Sequence, residues 1–299
     1  MSTTILIGSD GSAQAEGALR FGGALARELG ARVVVVSAYV HTPPMRGDAG
    51  GYEAVMRDDA DEIARRGAAA VEGVSEVKAL ISSGATVAEA LHRAAEAQHA
   101  DLLVVATSGR RRIAGHQIGS VSEAVAHHSP CPVAVVPPQE SEPRFKRIGV
   151  AVDGTDASRH ALDFALSLGE RAGDETVAFQ LLHVTPTSEH VPQPGHATWP
   201  ASRVLTPGGL EALAAEAAAH GEIEVVEHTG DPAQELVRLS EGLDVLVTGS
   251  RDQSAVKRLL LGSVSTHVVR NPRCPVIVVP AFATASLAGD AAPAEPTGA

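Results

Sequence analysis

The run SPCPVAVVP at 129–137 returns 143 residues later as PRCPVIVVP at 272–280, and this repetition constrains the fold more than any other feature. The same offset carries Asp10-Gly11 onto Asp153-Gly154 and Asp101 onto Asp244. It also carries Gly119-Ser120-Val121-Ser122 onto Gly262-Ser263-Val264-Ser265. Markers near both ends of the unit agree, so insertions and deletions inside it must cancel. The visible one is Thr185–Pro207, longer than its partner His41–Gly51. A chain of 299 residues exceeds the roughly 100–200 residues of a usual single domain. The reading is therefore two copies of one domain, at 1–138 and 147–281. A short polar linker, 139–146, joins them, and the small-residue tail 282–299 has too little to bury and is expected to be disordered.

Within each unit, short Val/Ile/Leu runs alternate with Ala-rich stretches, the pattern of a parallel sheet wrapped by helices. Strands are expected near 4–8, 32–39, 76–81, 101–106 and 132–137, with helices near 13–29, 53–72, 86–99 and 119–128. The second unit repeats the strands near 147–152, 176–184, 223–228, 244–249 and 275–280. Aromatics make up 3% of the chain, so aliphatic side chains must fill the core.

A net charge of −12 repels phosphate backbones and anionic lipid, which argues against nucleic-acid and membrane partners. The N-terminus has no signal-like run and no segment reaches 18 apolar residues, so the expected compartment is the cytoplasm. Cys131 and Cys274 each precede Pro-Val at a strand entry and read as small buried residues rather than a disulfide framework. No HExxH, CxxC, Walker A, GxSxG or GxGxxG pattern occurs. A metal site is not expected, and the acidic run Asp58–Glu62 reads as the wet face of a helix.

In an open α/β sheet, ligands settle at the carboxyl ends of strands where the winding reverses. The loop after the first strand is Gly8-Ser9-Asp10-Gly11-Ser12. The loop after the fourth, Ala106 to Ser120, feeds a helix N-terminus, whose free N–H groups and dipole favour a phosphate. This second loop resembles the G-x2-G-x9-G-[ST] triphosphate loop of the universal stress protein family, and the resemblance spans both repeats. Its positions fall on Ala106, Gly109, Gly119 and Ser120, and on Gly249, Asp252, Gly262 and Ser263, so each copy lacks one glycine.

The resemblance implies adenine-nucleotide binding, with ATP and Mg²⁺ as the cofactor and Asp10 and Asp153 contacting the adenosine. The second-strand ends near Val40 and Val184 would meet adenine, and Val121 and Val264 would follow the phosphate-binding serines. It further implies strand order 3-2-1-4-5 in each of two tandem doubly wound five-stranded sheets, paired through their fifth strands as an intramolecular pseudo-dimer. The whole chain would be a monomer or a homodimer, with an unidentified protein partner.

Several residues keep two readings. Asp10 and Asp153 can be turn formers, since Asp-Gly is a common turn pair. Arg110, Arg111 and Arg112, with Arg251, Lys257 and Arg258, can neutralise phosphates or form solvated basic loops. Ser120 with Glu123 fits a helix capping box. Trp199, in the insertion, can plug a loop or stack on a base. Ala106 adds one methyl, nearly harmless at negative φ and costing about 1–2 kcal/mol if the position requires positive φ. Asp252 sets a negative charge among phosphates, a sign that a bridging Mg²⁺ would reverse, and the first site is expected to be the better one. A regulatory, stress-adaptation role leads. A slow ATP hydrolase using Asp10 or Asp252, and a nucleotide-free interaction module, are the alternatives.

Overall fold

The computed structural model describes residues 3–41, 51–107, 120–139, 141–171, 177–187, 205, 208–250 and 262–281. The first unit comprises β1 (Thr4–Gly8), α1 (Ala13–Leu29), β2 (Arg32–Val40), α2 (Gly51–Ala69), β3 (Val77–Gly84), α3 (Val87–Ala97), β4 (Leu102–Ala106), α4 (Ser120–His128) and β5 (Val133–Val136). The second comprises β6 (Arg147–Ala151), α5 (Asp156–Arg171), β7 (Ala178–Pro186), α6 (Gly209–Ala217), β8 (Glu222–Gly230), α7 (Pro232–Leu239), β9 (Val245–Gly249), α8 (Ser263–Arg270) and β10 (Val276–Val279).

The strands form one sheet in the order β3-β2-β1-β4-β5-β10-β9-β6-β7-β8. Each unit contributes the order 3-2-1-4-5, and its strands pair in parallel. The junction is β5 against β10, antiparallel, with Ala134 opposite Ile277. The two expected five-stranded sheets are therefore one ten-stranded sheet. The physical reason is that a fifth strand of four buried apolar residues would otherwise be a bare edge.

Alternation of side chains along each strand builds two cores, one per face. Ile5, Ile7, Val33, Val35, Leu102 and Val104 face α1, and Leu6, Val34, Val36, Leu103 and Val105 face α3 and α4. Both apolar clusters continue through the junction into the second unit, to Ile277 and Val279 on one face and Val276 and Val278 on the other.

Local chemistry sets the helix ends. Ser12 Oγ accepts from the Ala15 amide at α1, and Gly30 ends that helix in the left-handed region. Thr86 caps α3, and Glu89 reaches back to the Ala85 amide at 2.9 Å. Asp101 and Asp244, seen in the sequence only as repeat markers, tie the fourth strands to the first. Asp101 Oδ2 accepts from the Thr4 amide at 2.7 Å, and Asp244 Oδ2 accepts from the Lys146 and Arg147 amides at 3.0 and 2.9 Å.

The linker read as polar carries one apolar anchor. Phe145 is buried and meets Phe21 of α1 edge-on, with ring centroids 5.4 Å apart. Across the junction, Arg270 of α8 pairs with Glu123 of α4, its Nε standing 3.2 Å from Oε2. The carboxylate of Glu123, the second half of the expected capping box, engages the other domain.

Cys131 and Cys274 are free and buried, and burial pushes both thiols up to about 12 from the ordinary 9.0. The antiparallel junction places them beyond opposite ends of the β5–β10 pair. At pH 8 the native thiols should react with a maleimide or disulfide reagent at least roughly a hundredfold slower than in denaturant, because only the thiolate reacts. Equal rates would contradict this burial. The folded thiols hold their protons more tightly than unfolded ones. Their contribution to stability is thus complete below pH about 9.0 and is lost as pH rises towards about 12.

Candidate functional site

The carboxyl ends of β1 and β4 lie side by side, with Ile7 in register with Val104, which brings the turn after β1 beside Thr107 and the start of α4. β6 and β9 repeat this, with Val150 against Val247. A cleft opens at each place.

The first cleft has a volume of about 230 Å³. Its polar side is Ser9, Asp10, Ser12 and Gln14 from the loop after β1 and the start of α1. Its apolar side includes Val36, Ala38, Leu91, Val105 and Val121, and Ala106, Thr107 and Ser122 close the end near α4. The second cleft measures about 70 Å³ and is lined by the matching elements, among them Asp153, Thr155, Ala157, Val184, Gly249, Gly262, Val264 and Ser265.

Local hydrogen bonds hold these walls. Asp10 Oδ1 accepts from the Ser12 amide at 3.0 Å; Asp153 Oδ1 accepts from the Thr155 amide at 3.0 Å and from its hydroxyl at 2.6 Å. The following glycines, Gly11 and Gly154, have φ of +74° and +78°, a region that L side chains rarely adopt. Both aspartates thus form the turn that the sequence allowed. The bond described for each turn uses Oδ1, and both side chains line the clefts, so turn formation and ligand contact are compatible.

The first turns of α4 and α8 are each pinned to the strand before them. Ser122 Oγ donates to the Ala106 carbonyl at 2.8 Å, and Ser265 Oγ donates to the Gly249 carbonyl at 2.9 Å. Sequence reasoning did not assign these two serines a role. The signal was present, since both repeats carry Gly-Ser-Val-Ser. At α8 the N-cap is Gly262, which offers no side-chain cap, so Ser263 is the first helical residue rather than a cap. The amides of that first turn are left for solvent or an anion.

Of the residues singled out in the sequence, Asp10, Ala106 and Val121 come together in the first cleft. Asp153, Val184, Gly249, Gly262 and Val264 come together in the second. Val40 stands apart, 44% exposed at the tip of β2; strand register matches Val184 to Ala38, which lines the first cleft. Ser120 begins α4 and Ser263 begins α8. Gly109, Arg110, Arg111, Arg112, Gly119, Trp199, Arg251, Asp252, Lys257, Arg258 and the tail 282–299 lie outside the described residues. Among the described residues no group of His, Cys, Asp and Glu could hold a metal ion, and no helix is long and apolar enough to cross a membrane.

Two matched clefts on one doubled sheet agree with the sequence relationships. A profile of the Universal stress protein family matches residues 1–137 and again residues 144–280. The chain belongs to the universal stress protein family. It is 32% identical over 183 residues to universal stress protein Rv2623 of Mycobacterium tuberculosis, covering 59% of this chain and 60% of that one. The chain thus spans about 60% of the length of that relative. A Thermus aquaticus universal stress protein is 38% identical over 137 residues, 46% of this chain and 99% of its own. A universal stress protein of Archaeoglobus fulgidus has the same overall fold, with a TM-score of 0.71, 22% identity, and coverage of 94% of this chain and 99% of that one.

Proposed function

We propose that this universal stress protein is a cytoplasmic binding protein for an adenine nucleotide, ATP with Mg²⁺, whose occupancy tunes the shape or partner choice of the chain in a stress response. The observation that carries the reading is the first cleft. A slot with apolar walls from Val36, Ala38, Leu91 and Val105 suits a flat base, and the Asp10 carboxylate stands at its polar edge, where a ribose diol can donate. The pinned N-terminus of α4 lies at the other end, where a phosphate is favoured. Asp10, Ala106, Gly109, Arg110, Gly119, Ser120 and Val121 form the proposed first site, and Asp153, Val184, Gly249, Arg251, Gly262, Ser263 and Val264 are its counterparts.

Protein purified without added nucleotide and then heat-denatured should release an adenine nucleotide, identified and counted per chain by chromatography and mass spectrometry. Absence of any nucleotide, persisting after millimolar ATP and Mg²⁺, would sink the reading and leave the nucleotide-free interaction module.

Asp10→Asn separates the two roles of that side chain. The amide oxygen keeps the turn bond to Ser12, while the charge is lost. Charge-assisted hydrogen bonds contribute about 1.5–3 kcal/mol, so ATP affinity should fall roughly tenfold to a hundredfold with an unchanged Tm. A fall in Tm with unchanged affinity would make Asp10 a turn former alone.

A further inference from the structure

The two clefts are matched in position and in their turns but unequal in volume, and we propose that domain 2 holds its own cleft shut, so that the chain takes one nucleotide, in domain 1. This rests on the nucleotide reading above and adds which of the two sites is used. Three contacts carry it.

The first is the start of the helix after the first strand. In domain 2 a Cβ built on Gly249 would stand 2.2 Å from the Ala157 carbonyl oxygen and 2.5 Å from its carbon, so the first turn of α5 lies against the end of β9. The matching position in domain 1 is Ala106, whose methyl group occupies that space, and Gln14 stands in place of Ala157. Helix α1 therefore cannot approach β4 as α5 approaches β9. The cleft volumes follow, about 230 Å³ against about 70 Å³. A cavity of roughly 150 Å³ is the size that accommodates a benzene ring in a protein interior. The second cleft has half that, and a purine needs more.

The second contact covers the turn at the mouth. Over Gly154, beside Asp153, lies Leu205, whose Cγ would be 3.2 Å from a Cβ at that glycine; Leu205 is part-buried against the main core. Over the matching Gly11 lies Arg66 of α2, its Nη2 2.9 Å from the corresponding point. The turn of domain 1 thus has a guanidinium beside it as well as an apolar side chain, with Ile63 Cγ1 3.3 Å from the same point, whereas the three nearest atoms over the turn of domain 2 all belong to Leu205.

The third is the ion pair across the junction. Arg270 pairs with Glu123 in the first turn of α4, the helix that supplies Val121 and Ser122 to the open cleft. By the 143-residue offset, Glu123 corresponds to Thr266 and Arg270 to His127, so the mirror pair that would hold α8 cannot form as an Arg–Glu bridge. Domain 2 steadies the binding helix of domain 1 through a bridge whose two residue types are not repeated at Thr266 and His127.

The test uses the whole wild-type chain. Isothermal titration with ATP and Mg²⁺ counts the sites, and photolabelling with 8-azido-ATP followed by peptide mapping locates them. The expected result is one ATP per chain, with label on peptides from residues 1–137 at least about a hundredfold in excess of label on 147–281, since opening a closed cleft subtracts from binding. Two ATP per chain, or label chiefly on domain 2, would overturn the inference while leaving the nucleotide reading intact. No binding at all would overturn both.

Discussion

Ala134→Asp is expected to abolish stable folding of both domains at neutral pH. Ala134 is fully buried at the middle of the sheet, paired with Val104 on one side and with Ile277 of the other domain on the other. A carboxylate there has no partner and must either lose its hydration or take up a proton, at a cost of several kcal/mol. Whole-domain stabilities are of order 5–15 kcal/mol, so a loss of at least about 4 kcal/mol leaves little or nothing. Desolvation raises the carboxyl pKa above its unfolded value, so the charge-dependent part of the deficit is absent at acid pH, where the group is neutral in both states, and grows as pH rises through the unfolded pKa. The apolar clusters run unbroken through the junction, so loss should be cooperative. Hydrogen exchange read separately for the two domains should show protection disappearing from both. Protection retained in 147–281 would mean that the second core stands alone.

The second large effect is expected from exchanging the two unequal motif positions. Gly249→Ala places a methyl group 2.2 Å from the Ala157 carbonyl oxygen, a backbone atom of α5 that no side-chain rotation can move away. Forcing a helix start outward is overpacking and should cost about 1–3 kcal/mol. Ala106→Gly removes a methyl group that has room and costs about 0.5–1 kcal/mol through backbone freedom. Urea unfolding of the two variants checks this, and an equal loss in both would show that the α5–β9 approach does not set the requirement. Neither position is constrained by φ. Among the described residues the positive-φ sites are His99, Gly11, Gly30, Gly73, Gly154 and Gly208. The glycine at the head of the second loop serves close approach, and the alanine at the head of the first is unstrained.

The same pair shows what was legible in advance. The cost of Ala106 depends on the sign of φ, a local property, and Ala106 is not among the positive-φ residues. The Ala157 carbonyl, which decides Gly249, lies 92 residues away in the chain (249 − 157) and carries no sequence mark. As second-strand ends Val40 and Val184 look equivalent in the sequence, whereas strand register matches Val184 to Ala38. The two β-to-loop segments differ by three residues of offset between repeats, which only hydrogen-bonded register exposes.

By itself, the sequence determined the doubling of the domain, the positions of the strands and the two loops that meet at the winding reversal. Each of these is written in properties that neighbours in the chain share: apolar period, Gly and Asp at turns, and a motif recurring at one offset. The tertiary structure alone decided that Asp101 and Asp244 bind the amides of the first strands, that Phe145 anchors the linker on Phe21, and that Arg270 holds Glu123. It also showed that the first cleft is the roomier. Those outcomes depend on distances of a few ångströms between residues far apart in the chain, as where a methyl group on Gly249 would meet the Ala157 carbonyl.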